Sequence, residues 1–336
     1  MSTKAKTVGE STIRLMTRLC HKHDAVNLSQ GFPNESPPLA VRLALATGVI
    51  SGVPFVSSCD TAEAMDTLKH ALSTVSKCHD TDALNQYSPP MGRPDLREAI
   101  ALHYQTIYNY SIDPETEITV TLGATEAFAS ALRTVGKPGD KVVIFEPFHE
   151  LYPSQCGIFY LEPIYVTLRE GQHLQSNNSN KISTWAFDTD ELAQALSNAK
   201  ILVLNTPHNP TGKVFTHDEL STIVSLCKQY NVTIITDEIY EHMTYTTNKR
   251  HTIIPQYFPE IKDQVLLCNS IGKSALATGW RVGWCIHPSQ YTNTYRGVHD
   301  QLVVMSPILC NSQPLPISIC LPLTLPKNCR HDMWNG

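Results

Sequence analysis

Short apolar runs that stop on clusters of polar residues constrain this chain more than any other feature. Lys141–Phe145 ends in Glu146-Pro147, and Ile201–Leu204 ends in Asn205-Thr206-Pro207. Val232–Ile235 ends in Thr236-Asp237-Glu238, Gln264–Cys268 ends in Asn269-Ser270, and Val282–Ile286 is a further run. Helical patterns lie among them at Glu126–Val135, Asp188–Ala199 and Thr216–Tyr230. The last opens with Thr216 and Glu219 at the spacing of a capping box. Unbroken apolar strands separated by helices imply an α/β fold with a mainly parallel sheet covered on both faces. In such a sheet, ligands bind beyond the carboxyl ends of the strands. Glu146–His149, Asn205–Gly212, Asp237–Tyr240 and Ser270–Lys273 are therefore expected to share one site.

Composition narrows the function. The 336 residues suffice for one large α/β domain or two ordinary ones. A net charge of −5 gives no basic field for nucleic acid. No apolar stretch is long enough to span a membrane, and Met1–Cys20 is too polar for a secretory signal. Ten cysteines in no CxxC pattern suggest neither a metal site nor a disulfide framework. A reduced, cytoplasmic compartment is expected, with a mitochondrial one open.

The chemistry-bearing residues each have two readings. Lys273, in Ser270-Ile-Gly-Lys273, sits just past an apolar run. Burial there would lower its proton affinity and leave the neutral amine that a Schiff base requires. Ser270 and Arg281 could hold a phosphate beside it; a loop lysine with a structural arginine is the plain alternative. Asp237 could hold a protonated pyridine nitrogen, with Tyr240 reaching the ring's phenolic oxygen, or it could simply cap a helix. Asn209-Pro210-Thr211-Gly212 is a turn in which Asn209 could hold a cofactor oxygen. Gly123-Ala124-Thr125, between Ile118–Leu122 and a helix, could cradle a phosphate on backbone N–H groups or be an ordinary connection. His149 could stack on a flat ring or be a surface histidine. Tyr87, in a Pro-rich loop before a helical Leu96–Tyr104, could reach a phosphate. The glycine fingerprint of dinucleotide binding is missing.

In this order the segments NLSQGFPNESPP, NQYSPPMGRPDLREAI, TLGATEA, EPFHELY, NTPHNPTGKV, TDEIYEH and SIGKSALATGWRVGW resemble the fold-type I pyridoxal-phosphate aminotransferases, class I/II. The kynurenine/methionine/glutamine type is the most similar group, and the resemblance runs from about Val26 to Pro307. It implies a three-layer α/β/α large domain and pyridoxal 5'-phosphate as cofactor. It implies that Lys273 forms the cofactor aldimine and shuttles the substrate proton, and that Asp237 pairs with the pyridine nitrogen. Asn209 and Tyr240 match the pair on the ring oxygen. Gly123, Ala124, Thr125, Ser270 and Arg281 match the phosphate cup, and His149 matches the ring-stacking position. Tyr87 matches a residue that serves the neighbouring subunit's cofactor, which implies a homodimer with shared sites. Gly31 matches a backbone position near substrate. The implied reaction moves an amino group from an L-amino acid to a 2-oxo acid.

Two segments depart from the family. Ser51–Ala83 reads as an insertion with at most one loose helix near Ala62–Val75. Gln301–Pro326 has no charged residue and five prolines, which disfavours helix and central strand. The expected organisation is an N-terminal arm with part of a small domain (1–48), an insertion-like segment (49–84), a large cofactor domain (85–295), and a stub of the small domain with an atypical tail (296–336). The small domain is thus expected to be incomplete, without the family's carboxylate-binding arginine. Two alternatives stand beside the aminotransferase: a truncated, weak or inactive cofactor-binding isoform, and a cysteine-S-conjugate β-lyase.

Overall fold

The computed structural model describes residues 11–29, 87–174, 181–244 and 251–306, with isolated positions 31, 37, 42, 66 and 69 between the first two. The expectations for Ser51–Ala83 and for the tail beyond Ser306 lie outside the described residues, except for positions 66 and 69. In chain order the main elements are α1 (Thr12–Lys22), α2 (Pro94–Tyr108), β1 (Ile118–Leu122), α3 (Gly123–Val135) and β2 (Lys141–Glu146). There follow α4 (Leu151–Ile158), β3 (Glu162–Thr167), β4 (Arg169–Leu174), β5 (Lys181–Ala186), α5 (Thr189–Leu196) and β6 (Ile201–Asn205). The last are α6 (His217–Tyr230), β7 (Thr233–Asp237), β8 (Val265–Ser270), β9 (Val282–Ile286) and α7 (Thr292–Val303). The chain divides into two compact units, 1–32 with 135–237, and 33–134 with 238–336.

In the first unit four strands run parallel in the order β7, β6, β2, β3. The residues of β7, β6 and β2 are buried with little alternation, as in Ile201–Leu204 and Val142–Phe145, whereas β3 buries only Val166 fully. Strands covered on both faces require this, because neither side can be polar. Leu192, Leu196, Leu220, Ile223 and Val224 bury the inner faces of α5 and α6. Full burial of each such side chain contributes about 1.5–3 kcal/mol. Asp188 caps α5 by accepting from the N–H groups of Asp190 and Glu191. The capping box of α6 forms as expected: Thr216 accepts from the Glu219 N–H, and the Glu219 carboxylate accepts from the Thr216 N–H. Asn231, left-handed at φ 54°, ends α6.

The second unit holds β1, β9 and β8, with β9 antiparallel to both neighbours. A sheet expected to be mainly parallel admits such antiparallel members. The α/β class itself holds, with β7, β6, β2 and β3 running parallel and helices flanking them. Helix α2 starts on Pro94, which gives up no needed hydrogen bond at that position. It presents Leu96, Ile100, Tyr104 and Tyr108, one residue in four, to a core with Ile118, Val120, Leu267 and Trp284. Gly92 has φ +94°, and a Cβ there would lie 2.4 Å from Val120, so only glycine fits. Helix α7 runs to Val303, so the expectation against helix fails at Gln301–Val303. The nearest proline, Pro307, lies beyond that end and does not interrupt it. Tyr295 and His299 anchor α7: the Tyr295 hydroxyl donates to the Ala127 carbonyl at 2.9 Å, and His299 lies 3.1 Å from Glu126. Among the described residues no helix is long and apolar enough to cross a membrane.

Candidate active site

The first unit brings several expected residues onto one polar network at the carboxyl ends of β6 and β7. Asp237, the last residue of β7, is buried, and the Tyr152 hydroxyl donates to its Oδ2 at 2.9 Å. Asn205, the last residue of β6, is also buried. Its Nδ2 donates to the Asp237 carbonyl at 2.9 Å, and its Oδ1 accepts from the Asn209 N–H at 2.6 Å. One amide therefore fixes both the strand end that carries Asp237 and the turn that carries Asn209. The turn closes on itself: the Gly212 N–H donates to the His208 carbonyl and the His208 N–H to the Lys213 carbonyl, each at 2.8 Å. Burial, then the Lys213 charge, pushes the His208 imidazole down to about 4, so it is neutral there. The ring of His149 lies 6.1 Å from that of Tyr152, and its Nδ1 accepts from the Leu151 N–H at 3.3 Å. His149 thus also serves the start of α4.

The second unit assembles the remaining residues. β1 ends at Leu122, and Gly123 opens α3 with φ +74°. A Cβ on Gly123 would lie 2.5 Å from Arg281 Nη2, and one on Gly283 would lie 2.7 Å from the Ala124 nitrogen. These two glycines let the guanidinium of Arg281 and strand β9 close on the first turn of α3. A cation beside the N-terminus of a helix favours an anion there. Arg281 Nη1 donates to the Thr278 carbonyl at 3.1 Å, and Thr278 Oγ1 donates to the Gly272 carbonyl at 2.8 Å. Ser270 caps the single helical turn Ile271–Ser274, its Oγ accepting from the Gly272 N–H at 3.3 Å.

Lys273 lies on that turn, half-buried, with Nζ 6.0 Å from the centre of the Tyr240 ring. Burial, then the Arg281 charge, lowers its proton affinity below that of an ordinary lysine. A neutral lysine amine beside an anion site can attack the carbonyl of a phosphorylated aldehyde. Tyr87 is 82% exposed, and Gly31 is exposed with open space around its Cα. Among the described residues Tyr87 joins neither network.

Tyr152 lies in the segment EPFHELY, but its partner is 85 positions away and the sequence does not single it out. Asn205 falls in the expected Asn205–Gly212 site segment, and only its tie to Asp237 needs the fold to be seen.

Comparison with known proteins places this geometry in context. The family model for aminotransferase class I and II matches residues 56–316. Human kynurenine–oxoglutarate transaminase 1 is 34% identical over 291 residues, 86% of this chain and 61% of that protein. The kynurenine–oxoglutarate transaminase of Dictyostelium discoideum is 30% identical over 305 residues, 89% of this chain and 63% of that protein. The solved structure of N-succinyldiaminopimelate aminotransferase from Mycobacterium tuberculosis aligns with a TM-score of 0.75 at 26% identity, covering 95% of this chain and 72% of that one. An Escherichia coli protein with a methionine aminotransferase function aligns at 0.74 and 26%, with the same coverage. The chain spans about three-fifths of the length of the curated relatives it matches, 61% and 63% in these two cases.

Proposed function

The chain belongs to the class I and II aminotransferases, and on that premise we propose that it transfers an amino group from an L-amino acid to a 2-oxo acid with pyridoxal 5'-phosphate as cofactor. The observation that carries the reading is Lys273, held with lowered proton affinity on the Ser270-capped turn beside Arg281. Kynurenine as amino donor and 2-oxoglutarate as acceptor are the substrates to try first, from the names of the relatives.

The residues present fit the cofactor. Gly123 leaves room where a Cβ would displace Arg281, so the helix start and the guanidinium can both face a phosphate. The N–H groups of Gly123–Thr125, the Ser270 hydroxyl and Arg281 would hold that phosphate. Asp237, its carboxylate fixed by Tyr152, would keep the pyridine nitrogen protonated. Asn209 and Tyr240 would hold the ring oxygen, and His149 would lie against the ring face. When bound, the cofactor supplies an aldehyde for covalent capture of an amine and a ring that draws electrons from the substrate α-carbon.

Lys273 has two tasks in this reading. Its Nζ would hold the cofactor covalently, and the same Nζ, once free, would take the substrate α-proton as a general base and return it as an acid. The lowered proton affinity serves both, since each needs an unprotonated amine near neutral pH. Gly31 is assigned to the neighbourhood of the substrate. The exposure of Tyr87 suits a residue that completes the site of a second copy, so a homodimer is part of the proposal. A cytoplasmic location is a further part of it, with a mitochondrial one open.

The test is oxo-acid production from L-kynurenine and 2-oxoglutarate with pyridoxal phosphate, in wild type and Lys273→Ala. We expect turnover in wild type and its loss in the variant. Equal turnover in both, or none in wild type with any amino acid of this class, overturns the proposal.

A further inference from the structure

His103, Glu241 and His242 lie together in the second unit. His103 comes from α2, while Glu241 and His242 come from the turn that follows β7. Glu241 Oε1 lies 3.3 Å from His242 Nε2 and 3.7 Å from His103 Nε2. One ligand atom from each of the three lies within 4.8 Å of the others. The side chains of His103 and Glu241 are 1% and 2% exposed, and that of His242 is 22% exposed.

The hydrogen bonding of this group is incomplete. Among the described residues neither ring nitrogen of His103 has a hydrogen-bond partner, nor does His242 Nε2, and all three atoms are buried. A buried polar atom left unpaired costs about 1–3 kcal/mol, so three together need a reason. A proton shared between Glu241 and either imidazole would serve one ring at a time and leave His103 Nδ1 unserved.

We infer that His103, Glu241 and His242 form a binding site for a divalent transition-metal ion of the zinc class. Two imidazoles and a carboxylate are a zinc ligand set, and bonds of about 2.0–2.2 Å in a tetrahedron put ligand atoms about 3.3–3.6 Å apart. The two separations at Glu241 Oε1 lie at or just beyond that edge. The carboxylate is already oriented by other donors, as metal-bound carboxylates usually are. Tyr108 donates to Oε2 at 2.6 Å and Asn269 Nδ2 donates to Oε1 at 2.7 Å. His251 is excluded from the set because it pairs with Glu238 at 2.7 Å. Three protein ligands leave a fourth position for water. The ion would tie α2 to the turn that carries Tyr240, the residue next to Glu241, so its role is to hold that turn in place.

No spacing signal announces this site. His103 lies 138 positions before Glu241 and only the fold joins them. The proposal is independent of the proposed function, since none of its three ligands is assigned to cofactor or substrate.

The experiment is titration of the full chain, first stripped with a chelator, with Zn2+ alone and then with Co2+ as an optical probe. His242→Ala and His103→Gln are the variants. We expect wild type to take up one tight equivalent of Zn2+ and to give the intense visible bands of tetrahedral Co2+. Each variant should weaken uptake by at least about 10–100-fold, the loss typical of a supporting residue alone. His242 is at the edge of the core, so His242→Ala decides the question if His103→Gln fails to fold. Failure of wild type to bind Zn2+ stoichiometrically overturns the inference. So does uptake by His242→Ala at wild-type affinity, or a pale octahedral Co2+ spectrum.

Discussion

The Tyr152 hydroxyl donates to Oδ2 of Asp237 at 2.9 Å, tying the first turn of α4 to the buried end of β7. A hydrogen bond to a charged acceptor contributes about 1.5–3 kcal/mol. Tyr152→Phe keeps the ring and removes only this donor. We expect pyridoxal phosphate to be held about 10–100-fold less tightly, since each 1.4 kcal/mol is tenfold. Spectrophotometric titration of the cofactor measures this, and the melting temperature shows whether the fold is intact.

Gly123→Ala tests the anion site. At φ +74° a side chain is strained by about 1–2 kcal/mol, and its Cβ would displace the Arg281 guanidinium. The expected result is selective. Affinity for pyridoxal phosphate should fall at least about tenfold, while affinity for unphosphorylated pyridoxal should change little. Equal loss for both compounds would mean that Gly123 and Arg281 do not read the phosphate.

Asn205 is expected to matter for stability more than its exposure-free, uncharged side chain suggests. It satisfies the Asp237 carbonyl and the Asn209 N–H. Asn205→Ala leaves the part-buried Asn209 N–H without this acceptor and the Asp237 carbonyl with only the Thr206 N–H, and should cost about 1–3 kcal/mol. Urea unfolding should show a lower midpoint at unchanged slope. Asn205→Asp keeps an acceptor for Asn209 and should recover part of the loss.

How much of this was visible in the sequence depends on how local each signal is. The capping box at Thr216 and Glu219, the start of α5 at Asp188, and the strands Ile118–Leu122 and Val282–Ile286 are set by neighbours in the chain, and they were readable. Helix α4 was not, because Pro153 and Gly157 interrupt its pattern. Strand β3 was not, because Pro163 stands inside it, tolerated in a strand that ends the parallel set. The direction of β9 is decided by its partners β1 and β8 rather than by its own residues. The same holds in the candidate site. Lys273, Asp237 and Arg281 carry distinctive chemistry in recognisable segments, whereas the roles of Tyr152 and Asn205 exist only once distant strand ends meet.

His287 gives the chain an acid-sensitive step. Burial is the main cause that pushes its imidazole down to about 4 from an ordinary 6.5, with the Arg296 charge acting in the same direction. The unfolded chain therefore binds a proton below about pH 6.5 that the folded chain takes up only near pH 4. The contribution of His287 to stability is fully present above pH 6.5 and falls as pH drops through this window, by on the order of 3 kcal/mol in all. His251 and His299 are shifted upward, and their contributions run the opposite way: present below the ordinary value and lost as pH rises through the folded one. Comparing wild type with His287→Gln isolates the first effect. The difference in unfolding free energy between them should shrink steadily from pH 6.5 to pH 4. A constant difference would show that His287 does not titrate in this way.

The most direct measurement is chemical trapping. The full chain is incubated with pyridoxal phosphate, reduced with borohydride, digested, and the modified peptide is found by mass spectrometry. If Lys273 is the amine that bonds the cofactor, one peptide containing Lys273 carries the label, and Lys273→Ala carries none. Label spread over other lysines, or retained at wild-type level in Lys273→Ala, would contradict the account.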